Sequence, residues 1–298
     1  NVTDTPEGVS YAKPKRGGAM EVTSFSSLYG LIFMQLPMIF ALGLLNWKLH
    51  NGGFVLTQMA HVIYGVLIAI FLFQAYKAWT VNAPHIRAGI PEKDKYSFRQ
   101  VAILDVAYFV TFGSELAVVS MLPKFFQETF TMTPQAAGLV AASFAFMNLF
   151  ARPMGGFLSD RLGSRRRTLS FLLAGLAVGY WLMSQLNGTW PIPLAILVTM
   201  TCSFFVQAGE GAVFSIVPLV KKRVTGQVAG MVGAYGNVGA VCFLTVFSLE
   251  GVDGSTFFSV IGGCAIFCLI VSLFLKEPEG SFADAHGDDE PAPAVDAA

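Results

Sequence analysis

Eight apolar runs constrain this chain more than any other feature: about 26–46, 55–79, 100–127, 134–158, 168–187, 190–218, 228–249 and 255–275. Each is close to the roughly 20 residues that a helix needs to cross a bilayer. In lipid, backbone N–H and C=O groups have no water to bind, so an isolated apolar run satisfies itself only as an α-helix. The alternation that marks a membrane barrel strand is absent. The expectation is an all-α polytopic membrane protein of about eight transmembrane helices. Composition agrees, with 54% hydrophobic and only 13% charged residues, against about 25% charged in soluble domains. Pro37 should kink the first run, while Gln58, His61 and Gln74 make the second less uniformly apolar.

The loops carry the orientation signal. With eight spans, residues 1–25, 80–98, 159–167, 219–227 and the tail from 276 share one side. That side holds all but Lys48, Lys124 and Arg152 of the 19 Lys and Arg residues. Cytoplasmic loops are enriched in Lys and Arg, so both ends of the chain are expected in the cytoplasm. The chain divides into a cytoplasmic loop (1–25), a transmembrane hairpin (26–79), a basic cytoplasmic loop (80–98), six spans (99–275) and an acidic, Ala/Pro-rich, disordered tail (276–298). It starts at Asn1 without a signal sequence, which suggests a segment of a longer protein.

Zero net charge argues against a nucleic-acid partner. Cys202, Cys242, Cys264 and Cys268 lie inside apolar runs without histidine or acidic companions at ligand spacing, so neither a metal site nor a disulfide framework is expected. The four histidines are dispersed, and no nucleophile or acid–base pair converges, which weighs against a membrane enzyme. The chain also lacks the sizeable soluble domain that a sensor would call for.

Ionisable residues inside the runs are few: Asp105, Glu115, Arg152 and Glu210. Insertion scales put a buried arginine at about 2.5–3.5 kcal/mol, and such a charge normally faces a partner or a wet cavity. Arg152 lies about two turns before the polar end at Ser159 and Asp160, too deep to snorkel. It is either an anion site or half of a structural ion pair. Asn148, four residues earlier, shares its face. Ser203, Gln207 and Glu210 form another polar stripe. Glu115 and Glu210 can act in structural hydrogen bonding or in proton coupling. Gly226, Gly230 and Gly233 line one side of the seventh run with Asn237, an arrangement that admits a close helix or ligand.

Two motifs turn these observations into a family resemblance. The loop GGFLSDRLGSRRR, with Gly156, Asp160, Arg161, Gly163 and Arg165, resembles the cytoplasmic loop signature of the major facilitator superfamily. In that family it joins the second and third helices of a six-helix half, so residues 99–275 correspond to a C-terminal half. The segment GAYGNVGAV resembles the nitrate signature of the nitrate/nitrite porter family, supported by FGSELAVVSMLPKFF at 112–126 and GEGAVFSIVPLVKKRV from 209.

The resemblance implies a nitrate or nitrite transporter in the plasma membrane, working by alternating access without a cofactor, with nitrate uptake coupled to proton symport or to anion exchange. Arg152 would grip the planar anion, Tyr108 would donate a hydrogen bond, and Phe214 would pack on its flat face. Gly233, Gly236, Asn237 and Gly239 would line the same cavity, and the basic loop would latch one state. The partners implied are the anion, membrane lipid and an N-terminal six-helix half carrying a second arginine. The hairpin at 26–79 is additional to a six-plus-six plan and is expected at the periphery. A facilitator for a different anion is the nearest alternative.

Overall fold

The computed structural model describes residues 17–277. Its helices are α1 (Phe25–Phe33), α2 (Leu36–Asn51), α3 (Thr57–Ala88), α4 (Phe98–Phe130), α5 (Pro134–Phe146), α6 (Asn148–Arg161), α7 (Arg165–Ser184), α8 (Ile192–Val220), α9 (Thr225–Phe247) and α10 (Gly254–Ser272). Short 3-10 turns at Glu92–Asp94 and Lys222–Val224 precede α4 and α9. Among the described residues, eight helical stretches are long and apolar enough to cross a membrane, with α1–α2 and α5–α6 each forming one stretch.

Two apolar runs are therefore broken helices. Proline accounts for the first break, whereas the second, at Met147, lies upstream of the Leu149 carbonyl that Pro153 leaves without a donor. Proline supplies no N–H and its ring crowds the preceding turn. Pro37 lies in the first turn of α2, just after the break at Met34–Gln35. Pro153 lies inside α6, one turn and a half after the break at Met147. A third difference is one of length. The segment 80–98, expected as a basic loop, is helical to Ala88, and α3 continues through Pro84. Apolar content ends near residue 79 and residues 80–88 are mostly poor helix formers, but the contacts of Asn82 carry the helix further. Asn82 is fully buried, donates to the Ala78 and Met20 carbonyls, and accepts the Val22 N–H at 2.9 Å.

α4 is the centre of the six-helix half. It packs against α5, α8, α9 and α10 and is the most deeply buried of the spans. Between helices in lipid, close van der Waals packing replaces the hydrophobic drive, so small residues sit where backbones meet. A Cβ on Gly239 of α9 would lie 2.1 Å from the Phe109 carbonyl oxygen of α4. At the other contact, a Cβ on Gly155 of α6 would lie 1.9 Å from the Ala208 carbonyl oxygen of α8. Large aromatics fill the remaining core, with Phe125, Phe258 and Tyr180 in successive ring contacts across α4, α10 and α7. α1–α3 pack outside this half, against α4 and α9.

Candidate functional site

The close contact of α6 with α8 sets Arg152 against Glu210. The Arg152 Nη2 group donates to the Glu210 carboxylate and, at 3.0 Å, to the Tyr108 hydroxyl of α4. Glu210 is fully buried, whereas the Arg152 side chain is 38% exposed. The ion pair therefore has one face sealed in protein and one face open. Beside it, a shallow groove of about 680 Å³ is lined by Ala145, Phe146, Asn148, Leu149, Arg152 and Pro153.

A second carboxylate lies in the same layer. Glu115 of α4 accepts from Asn148 at 2.8 Å and from Gln207 at 3.1 Å. Asn148 and Arg152 thus use one helix face to engage two carboxylates, one on α4 and one on α8. The polar stripe of α8 divides by role. Ser203 and Gln207 each donate at 2.8 Å to the Phe144 carbonyl at the open end of α5, and so repair the break before Asn148. Glu210, one turn further along, holds the arginine. Asp105 stands apart, fully buried, with neither carboxyl oxygen hydrogen-bonded.

Aromatic rings frame the guanidinium. Tyr108 stacks on Phe112 at 5.2 Å and meets the edge of Phe214 at 4.9 Å. The Arg152 guanidinium lies 5.8 Å from the Phe112 ring centre, within cation–π reach. In the sequence Phe112 stands out only as the first residue of the FGSELAVVSMLPKFF motif. Its position one helical turn after Tyr108 was the available signal that both rings share a face.

The α9 residues divide between two surfaces. Gly236 faces the cluster: a Cβ there would lie 2.6 Å from the Phe112 ring and 2.8 Å from the Tyr108 ring. Gly239 packs on the α4 backbone. Gly233 has open space beside it, and the exposed Asn237 amide donates to the Gly233 carbonyl of its own helix. The structure therefore brings Tyr108, Glu115, Asn148, Arg152, Glu210, Phe214 and Gly236 together. It leaves Asn237 and Gly233 on the open surface of α9.

The basic loop is built around its glycine and its acid. Gly163 takes φ +61°, the left-handed conformation that ends α6 and that other residues adopt with strain. Asp160 accepts from Arg165 at 2.8 Å. Arg161 and Gly156 make no close contact of this kind; Arg161 is exposed and Gly156 faces open space. One participant was misplaced in the sequence reading. Glu277, assigned to a disordered tail, accepts the Arg165 and Arg166 backbone N–H groups at 2.7 and 3.2 Å and the Ser164 hydroxyl at 3.0 Å. A carboxylate there satisfies open donors at the start of α7 and complements its dipole. The rest of the expected tail, 278–298, lies outside the described residues.

Among the described residues, eight membrane-length helical stretches, with a charge cluster recessed between three of them, define a multi-pass membrane protein. A family model for the Major Facilitator Superfamily matches residues 104–297, and the chain belongs to that superfamily. The chain is 47% identical over 303 residues to the nitrate/nitrite transporter NrtP of Picosynechococcus sp., an alignment covering 96% of this chain and 57% of that protein. It is 46% identical over 290 residues to the NrtP of Nostoc punctiforme, covering 96% and 58%. A more distant relative, the nitrite extrusion protein of Bacillus subtilis, is 28% identical over 222 residues, covering 72% and 55%. The chain thus spans rather more than half the length of the curated relatives it matches.

Proposed function

We propose that this chain supplies the C-terminal half-site of a nitrate/nitrite transporter of the plasma membrane, a transporter rather than an enzyme, with both ends of the chain cytoplasmic. The observation that carries this reading is the half-open Arg152. Its Nη2 is committed to Glu210 and Tyr108, while the exposed remainder of the planar fork matches the geometry of an oxyanion. Phe214 and Phe112 offer rings on which a flat anion can lie. The nitrate/nitrite specificity rests on the named relatives and on the GAYGNVGAV resemblance. An N-terminal six-helix half would face the groove and close the site with its own arginine, the two halves rocking about it. The Asp160–Arg165 pair and the Glu277 carboxylate would latch the cytoplasmic ends in one state.

Charge counting suggests how uptake is driven. Moving one anion into a negative interior costs about 2.3 kcal/mol per 100 mV. The cluster holds one guanidinium and two carboxylates, so an arriving anion meets excess negative charge when both acids are ionised. A proton on Glu210 or Glu115 would remove that excess and tie anion entry to proton entry. Glu210→Gln and Glu115→Gln in the full-length protein are expected to leave nitrate exchange measurable while abolishing the pH dependence of net uptake. Unchanged proton coupling in both variants would remove these acids from the mechanism. Specificity is checked by competition: nitrite should suppress uptake of labelled nitrate into proteoliposomes, and sulfate and phosphate should not. Equal suppression by sulfate would point to a general anion carrier.

A further inference from the structure

The hairpin formed by α1–α3, together with the segment 19–24 that leads into it, is tied to one helix of the six-helix half along that helix's whole length. At the cytoplasmic start of α9, the Gln227 side chain accepts the Glu21 N–H at 3.0 Å and donates to the Ala19 carbonyl at 3.4 Å. Just before it, Arg223 pairs with the fully buried Glu21 carboxylate. Midway, the Tyr235 hydroxyl, on a side chain only 2% exposed, donates to the Met34 carbonyl at the break between α1 and α2. At the far end, the Lys48 ammonium donates to the Ser248 carbonyl at 2.6 Å. These ties span roughly 30 Å at 1.5 Å per residue. Between them the fit is loose: a cavity of about 330 Å³ remains, lined in part by Gln35, Gln74, Gly230 and Met231.

α9 is the helix with most need of such support. It carries Gly226, Gly230, Gly233, Gly236 and Gly239, and each interior glycine weakens a helix relative to alanine. Gly236 and Gly239 have no room for a Cβ against α4, so packing demands them. Gly226, Gly230 and Gly233 gain no such contact. A glycine-rich helix with one open side bends readily, and Gly236 is the surface against which the Tyr108 and Phe112 rings rest.

We infer that the hairpin is a splint for α9, and that Tyr235 is a positioning residue: by gripping the broken first span it keeps Gly236 against Tyr108 and Phe112, and hence keeps the frame around Arg152 in register. The splint itself rests on geometry alone; its effect on anion affinity rests on the transport reading above.

The test compares Tyr235→Phe with Tyr180→Phe in the full-length protein in lipid nanodiscs. Tyr180 is an equally buried tyrosine of α7 whose hydroxyl faces Ser114 of α4 and makes no tie to α9 or the hairpin, so its variant removes a buried hydroxyl without loosening the splint. Hydrogen exchange should accelerate about tenfold at α9 amides between 226 and 240 in Tyr235→Phe, the scale of one lost buried hydrogen bond. α7 and α10 should be unchanged, and Tyr180→Phe should match wild type across α9. In proteoliposomes Tyr235→Phe should raise the nitrate KM several-fold with kcat nearly constant. Should Tyr235→Phe fail to assemble, Lys48→Met carries the same measurement at the 240–247 end, with Lys48→Arg restoring protection. Wild-type exchange of α9 in Tyr235→Phe, or equal acceleration in Tyr180→Phe, overturns the splint. Accelerated exchange in a protein that carries no nitrate keeps the splint and removes the substrate assignment.

Discussion

Arg152→Lys is expected to lower nitrate uptake by the full-length transporter by about 100-fold or more, although it conserves the charge. The lysine ammonium can still neutralise Glu210, so the buried carboxylate keeps a counter-ion and the fold survives. What disappears is the planar fork. A charge-assisted hydrogen bond contributes about 1.5–3 kcal/mol, and losing the paired donation that a guanidinium makes to an oxyanion removes about 3 kcal/mol or more of binding. Arg152→Gln is the harsher change, because it leaves Glu210 buried without a cation. Breaking a buried pair from one side costs about 3–5 kcal/mol, so that variant should lose assembly as well as transport. Initial rates of labelled nitrate uptake, read beside size-exclusion profiles, separate the two. Uptake at the wild-type rate in both Arg152→Lys and Arg152→Ala would sink the site assignment.

Gly211→Val should be the most disruptive substitution among the described glycines of α8. A Cβ at Gly211 would lie 1.9 Å from the Arg152 carbonyl oxygen and 2.9 Å from its carbon. Backbone cannot rotate aside as a side chain can, so α8 must move away from α6. That movement separates Glu210 from Arg152 and opens the neighbouring Gly155–Ala208 contact. Overpacking of this kind costs about 1–3 kcal/mol, and the second methyl-bearing branch of valine places the cost at the upper end. A melting point lower by several degrees and loss of uptake are expected together. Gly65→Ala in α3 is the matched control, since nothing lies within 4 Å of its Cβ position. Removing an interior glycine from a helix there should stabilise by about 0.5–1 kcal/mol. A Gly211→Val protein as stable and active as wild type would mean that α6 and α8 are not in backbone contact.

How much of the site was legible beforehand differs from residue to residue. Arg152, Glu115 and Glu210 stood out because a charge in an apolar run is conspicuous whatever its surroundings. The spacing of Asn148 and Arg152 put them on one face, and the structure keeps them there. The same kind of argument for Asn237 was less informative. Helical periodicity says which residues share a face, not what that face meets, and Asn237 shares its face with Gly233 on the open side of α9. Ser203 and Gln207 read as a polar stripe shared with Glu210, facing either a cavity or another helix. Both bind the Phe144 carbonyl, with Gln207 reaching Glu115 as well, and that carbonyl is open only because the helix breaks before Asn148.

The hairpin shows the same division. Its two spans were plain in the hydropathy and its first break was signalled by Pro37, yet its attachment to α9 left no periodic trace. Tyr235, Gln227 and Lys48 are single polar residues whose partners lie about 200 positions away along the chain. Glu277 is a like case, an acid in a polar tail that becomes a helix cap only because α7 begins beside it.

The sequence by itself determined that this chain forms eight membrane-length helices with rare internal charges, because lipid leaves an apolar backbone no alternative to helix and makes every buried charge stand out. Tertiary structure alone decided which carboxylate holds Arg152, which glycines are crowded, and where the hairpin attaches. Those outcomes depend on how each helix is rotated and how closely two backbones approach, and both are set by side-chain packing between segments far apart in the chain.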